Sequence, residues 1–147
     1  MKLHKVVIAL IQLETAILLF LREQNYLCAI TLAGAAEEIF GTFSKKKTSE
    51  TIYEHLCKGM KDELNYKFKH LDLKFEEKEV GHRFLNFHRN ELKHFHNPEN
   101  EEIEIDPEFE AICLIFRAIY NMTSCKIITE NAEDFMKWLR ENKPELA

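Results

Sequence analysis

The feature that most constrains this chain is a run of apolar residues near its start, where Leu3, Val6, Val7, Leu10, Leu13, Ile17, Leu18 and Leu21 recur at steps of three and four. That spacing is the stripe of an amphipathic helix over residues 3–22. Ile8, Ile11, Leu19 and Phe20 widen the stripe beyond one face, so the helix is either central to its own domain or shared with a second copy of the chain. Gln12, Glu14 and Thr15 interrupt the run. It also falls short of the ~20 residues a bilayer requires, and a buried helix is expected rather than a membrane span or a secretory leader.

The rest of the composition agrees with helices. With 4 Gly and 3 Pro in 147 residues, the chain lacks the turn formers that a sheet of short strands consumes. The length suits a single domain over residues 1–147, with one core. Helical spacing resumes from Tyr26 to about Lys46, and the middle of that segment is rich in small residues, Ala29, Ala33, Gly34, Ala35 and Ala36. Small residues allow close backbone approach, which predicts a tight antiparallel hairpin of the first two helices. Lys45, Lys46 and Lys47 fit a helix end, with Thr48 and Ser49 as the next N-cap. A third helix is expected over residues 50–66, an irregular turn over 67–74, and a fourth helix from 76 to about 94 that stops by Asn97-Pro98. Asp106-Pro107 is a start signal for a strongly apolar helix, and a last helix covers about 130–142. The fold class is therefore all-α, a single-domain bundle of five or six helices.

Charge and cysteine usage narrow the function classes. Lys and Arg number 20 against 25 Asp and Glu, a formal charge of -5, which excludes gripping nucleic acid by bulk positive charge and makes any basic site local. Cys28, Cys57, Cys113 and Cys125 show no CxxC or CxH pairing. They are read as small apolar fillers in a reducing cytoplasm rather than zinc ligands or disulfides.

The densest cluster of reactive side chains runs from His82 to His96 and holds four of the 7 histidines, His82, His88, His94 and His96. Three readings are open. A metal site lacks the three- or four-residue histidine step of a helix-borne pair. A solvated basic face, its stems covering apolar neighbours, needs no function at all. A phosphate-handling site would use the donor fork of Arg89 and a histidine titrating near neutrality, with Asn90 beside the arginine. On a straight helix positions 89 and 94 lie about 140° apart, so the third reading needs the helix end to loosen before Pro98.

The hexapeptide Arg89-Asn90-Glu91-Leu92-Lys93-His94 resembles the signature of the HEPN superfamily, an arginine, a polar residue directly after it, and a histidine with four to six residues between the two. The hairpin carrying Tyr26-Leu27-Cys28-Ala29-Ile30 and Leu32-Ala33-Gly34-Ala35-Ala36-Glu37-Glu38 is similar to the paired first helices of small prokaryotic HEPN-like proteins. The resemblance implies a helical homodimer in which two copies of the motif face one another across a cleft. Many members are metal-independent endoribonucleases of toxin–antitoxin or phage-defence systems, while others bind nucleotides or have lost activity. Carried onto this chain, Arg89 would steady the scissile phosphate of RNA and His94 would act as acid or base. Asn90 would orient the arginine or the substrate. An antitoxin is an implied partner, and no metal or other cofactor is implied.

Lys93, His88 and His96 are candidate substrate-binding cations, with Arg83 as a further auxiliary. Arg83 and His88 repeat the spacing of the motif, but Phe84 follows that arginine in place of a polar residue. Glu37 and Glu38 either approach the cleft or face solvent, solvent being the default. Against RNA stands the acidic run Glu99, Glu101, Glu102, Glu104, Asp106, Glu108 and Glu110, whose usual meaning is a solvated loop. A shield awaiting a partner, or a scaffold kept without its activity, are the alternatives.

Overall fold

A computed structural model describes residues 1–94 and 101–146. Seven α-helices follow in order: α1 (Lys5–Glu23), α2 (Tyr26–Ser44), α3 (Ile52–Lys67), α4 (Glu77–Val80), α5 (Phe87–Lys93), α6 (Pro107–Ser124) and α7 (Glu130–Asn142). No strand occurs among the described residues, so the chain is an all-α bundle. The count exceeds the expected five or six because the segment read as one helix from 76 to 94 is broken. α4 gives way to a wide π-turn at Gly81–Leu85, and Asn86, at φ -124° and ψ 2°, ends it before α5.

Local chemistry sets the boundaries. His4 caps α1 by accepting from the Val6 amide at 3.2 Å, and Gln24 closes it in the left-handed region at φ 53°. Asn25 then caps α2, so the two helices are joined by only two residues and must run antiparallel. The cap of α3 is Thr51, not Thr48 or Ser49. Thr51 accepts from the Glu54 amide while Glu54 accepts from the Thr51 amide at 2.9 Å, a reciprocal box that only the Thr51/Glu54 spacing permits. Asp106 and Pro107 open α6 as expected, Asp106 accepting from the Phe109 amide at 3.1 Å.

The core lies between α1, α2, α6 and α7. Leu13, Ile17 and Phe20 of α1, Ile30 and Phe40 of α2, Leu114, Ile115 and Met122 of α6, and Phe135 and Leu139 of α7 are all buried there. Phe20 meets Phe135 at 5.4 Å and Trp138 at 4.8 Å, both edge to face. α2 is long and apolar enough to cross a membrane, yet half of that stretch is buried, between α1 and α6, which accounts for its composition. Residues 51–93 form a second layer over α2 and α6, with a small apolar centre at Ile52, Cys57 and Val80. The π-turn comes so close to α3 that a Cβ at Gly81 would lie 2.1 Å from the Tyr53 hydroxyl oxygen.

The cysteines are free thiols. Burial and then Glu110 push the Cys113 thiol up to about 11, and burial raises Cys57 and Cys125 as well. Cys28 departs from the expectation of a filler, since it lies on the exposed side of α2.

Candidate active site around helix α5

Helix α5 is a ridge of two turns, and its flanks are set by the four-residue repeat. Arg89 and Lys93 fall on one flank, Asn90 and His94 on the other. On the first flank Arg89 lines a hollow of about 310 Å³ with Glu37, Glu38, Tyr53 and Asn86, and Lys93 lines an adjoining one of about 330 Å³ with Lys5, Glu38 and Phe43. On the second flank Asn90 and His94 share a hollow of about 470 Å³ with His82, Phe87 and Glu91. Within one protomer, therefore, Arg89 and His94 look into different hollows. The helix does loosen at its C-terminal end, and it is also broken at Asn86, ahead of Arg89, yet neither change brings the two side chains into one hollow. His94 is the C-cap, at φ -137° and ψ 128°, so its backbone has already left the helix.

Arg89 is anchored from below. Its Nη1 lies 3.5 Å from Glu37 Oε2 and its Nη2 3.8 Å from Glu38 Oε2, while its stem crosses α2 so closely that a Cβ at Gly34 would lie 2.7 Å from Arg89 Cδ. The small residues of α2 thus serve the crossing of α5 as well as the hairpin with α1. Glu37 does not face solvent. It is buried between two arginines, with Arg117 Nη2 at 3.1 Å from its Oε1. Glu38 stands exposed at the rim.

Arg117 binds the start of α5 to the core. Nη1 donates to the Leu85 carbonyl and Nη2 to Asn86 Oδ1, each at 3.1 Å, and the guanidinium lies 5.1 Å from the centre of the Tyr53 ring. Burial and the neighbouring Cys57 push the Tyr53 phenol up to about 12, which keeps it a neutral hydroxyl. Asn121 of α6 completes the floor, donating to the Glu37 carbonyl at 3.3 Å and accepting from the Ile52 amide at 3.4 Å. Burying charges in this way is tolerable because each has a partner of opposite sign.

The remaining candidates separate. His88 Nδ1 is 2.6 Å from Glu110 Oε1, so this half-buried imidazole ties α5 to α6 and does not point into either hollow beside the Arg–His motif. Arg83 pairs with Glu79 one turn away at 3.3 Å, on the surface. Asn90 stands with His94 rather than beside the Arg89 guanidinium, whose neighbour is Asn86. His96 lies outside the described residues, as does Glu99 of the acidic run. Among the described residues, no group of three or more His, Cys, Asp or Glu side chains is placed to hold a metal.

Arg117, Asn86, Tyr53 and Asn121 were not among the residues picked out by motif. Arg117 had a signal: it is the lone cation of α6, set between Phe116 and Ala118 in a strongly apolar stretch, and a charge in such a place requires a buried partner. Asn86 and Tyr53 had none, since their roles depend on which helix crosses above them. Comparison of the chain with protein-family models, with curated proteins and with solved structures finds no match in any of the three.

Proposed function

We propose that this chain is a HEPN-like, metal-independent endoribonuclease of the toxin or phage-defence type, working as a cytoplasmic homodimer through Arg89 and His94. The observation that carries the reading is the division of the motif across the α5 ridge. A phosphodiester strand passing over α5 meets a guanidinium on one flank and an imidazole on the other. In a dimer with two α5 ridges opposed, Arg89 of one copy and His94 of the other close on one phosphate.

The Arg89 contacts to Glu37 and Glu38 are long, at 3.5 and 3.8 Å, and are made by its two terminal nitrogens. The guanidinium is thus held in place with donor capacity to spare for a phosphate. In the reaction His94 takes the proton of a ribose 2′-hydroxyl, whose oxygen attacks the adjacent phosphorus. The bond to the 5′-oxygen breaks, that oxygen takes a proton from water, His94 returns its own proton to solvent, and the products are a 2′,3′-cyclic phosphate and a 5′-hydroxyl. Arg89 offsets the charge that builds on the phosphoryl oxygens.

Incubating the purified protein with mixed RNA and a chelator tests this. The expected result is cleavage that leaves cyclic phosphate ends and falls by at least a hundredfold in Arg89→Ala and in His94→Ala. Absence of cleavage, or cleavage unaltered in both variants, rejects it. One observation favours a second reading, a non-catalytic dimer that binds a nucleotide or a protein such as an antitoxin. Arg89 is already engaged by two carboxylates, and His94 faces away from it. A ligand-induced rise in melting temperature that disappears in Arg89→Ala, with RNA left intact, identifies that case.

A further inference from the structure

We infer that single-stranded RNA is held along the outer face of α2, in the groove made by the two adjoining hollows on the Arg89 flank. The polymer's identity rests on the ribonuclease reading, whereas the location rests on the groove itself. The two hollows share Glu38 and Thr42 and so adjoin on either side of those residues, at the end of the hairpin where α1 starts and α2 finishes. Along the groove stand Lys5, Lys93, Arg89 and Lys45, with Lys46 at its end.

The carboxylates of the groove are largely neutralised. Glu37 is held by Arg117 and Arg89, and Glu54 is paired with Lys45, leaving Glu38 as the exposed one. With Arg89 and Lys45 already paired, Lys5, Lys93 and Lys46 remain against Glu38, so a chain of net charge -5 carries a modestly positive track here.

An aromatic platform lies on the same track. Phe43 is half-buried in the wall of the groove, with the His4 ring 5.5 Å away and Lys46 Nζ 4.9 Å from its centre. Cations beside a groove with one aromatic ring in its wall offer a single strand both charge and a stacking surface. An acidic peptide would use the lysines but not the ring. The three consecutive lysines that end α2 thereby acquire a role beyond the helix terminus, although Lys47 is turned to the Cys125 carbonyl at 3.4 Å.

Fluorescence anisotropy with a labelled mixed-sequence RNA of twelve nucleotides, in a His94→Ala background that blocks cleavage, tests the groove. Lys5→Glu with Lys46→Glu should weaken binding more than tenfold. The slope of log affinity against log salt should fall by roughly 1.4, from about 0.7 per phosphate contact on a single strand. Phe43→Ala should weaken binding roughly tenfold with the salt slope unaltered, and Glu38→Gln should tighten it. All four positions are partly or fully exposed, and circular dichroism checks the fold of each variant.

Binding that is absent, that ignores both the lysine pair and Phe43, or that poly-glutamate displaces as well as RNA does, overturns the inference. Groove-dependent binding by a wild-type protein that cleaves nothing would sink the ribonuclease reading alone. Cleavage by a protein whose RNA binding is indifferent to these variants would sink the groove alone.

Discussion

Where α1, α2, α6 and α7 meet, Phe40, Phe135, Leu13 and Leu139 are closed off from solvent among other apolar side chains; where residues 51–93 cross α2 and α6, the contact is made by Arg89, Glu37, Arg117 and Asn86. The first region is held by area removed from water, which is tolerant of direction. The second is held by charges and hydrogen bonds whose strength depends on geometry and on having every partner in place. A motif residue mounted on the second kind of region is positioned sharply but is tied to a network that can be broken at one atom. It holds the arginine at the wall of its hollow. It also means that the candidate site can fail without the core, though not the core without the site.

The largest expected effect is in the core. Phe135→Ala removes a fully buried ring packed on Phe20 and Trp138, and should cost about 3–5 kcal/mol in thermal or urea unfolding. All helices should melt together, because the lost contact belongs to the common core. If α3 to α5 instead kept their protection from hydrogen exchange while α1 and α7 lost theirs, the second layer would be independent of the core and the contrast would have to be redrawn.

Next comes Arg117→Ala, which leaves Glu37 with Arg89 as its remaining cation and strips the Leu85 carbonyl and Asn86 of a donor. Its cost should sit at the low end of the roughly 3–5 kcal/mol of a broken buried pair. The sharper readout is local: amide exchange should accelerate over residues 81–93 far more than in α1 or α7. Uniform acceleration would show that the ion network supports the whole bundle rather than the α5 layer.

The smallest effect is at the rim of the second layer. Lys45 and the Thr51 amide, in that order, hold the Glu54 carboxyl below the usual carboxylate range. A carboxylate depressed in the folded state contributes stability that is present above its unfolded value and lost as pH falls through the folded one. The box should therefore weaken only in acid, below the ordinary titration range of glutamate, and weakly, since the Lys45–Glu54 pair is open to solvent. Thr51→Ala should cost about 1 kcal/mol at neutral pH and flatten that acid-side loss. An acid-side melting curve identical in wild type and Thr51→Ala would refute this account of the α3 cap.

The legibility of each region follows the same division. The helices of the core announced themselves because burial by area leaves a periodic trace, as Leu13, Ile17 and Phe20 do in α1 and Ile112, Ile115 and Ile119 do in α6. The Asp106-Pro107 start was visible because a cap is a local event between residues three apart. The break at Gly81–Asn86 was not, because it is imposed by the close packing of Gly81 on Tyr53 and by Arg117 reaching across from α6. The burial of Glu37 was likewise hidden, since nothing local distinguishes it from Glu38 beside it.

By itself, then, the order of residues determined an all-helical chain, the limits of most helices to within a few positions, and a short segment where arginine, asparagine and histidine gather. Only the tertiary structure decided that Glu37 lies between Arg89 and Arg117, that His88 is taken by Glu110, and that Arg89 and His94 stand on opposite flanks of one ridge. Periodicity and capping depend on neighbours a few positions apart and are written along the chain. Ion pairs between residues 52 and 80 positions apart exist only once the helices have crossed, and the angle of that crossing is a property of the packed bundle.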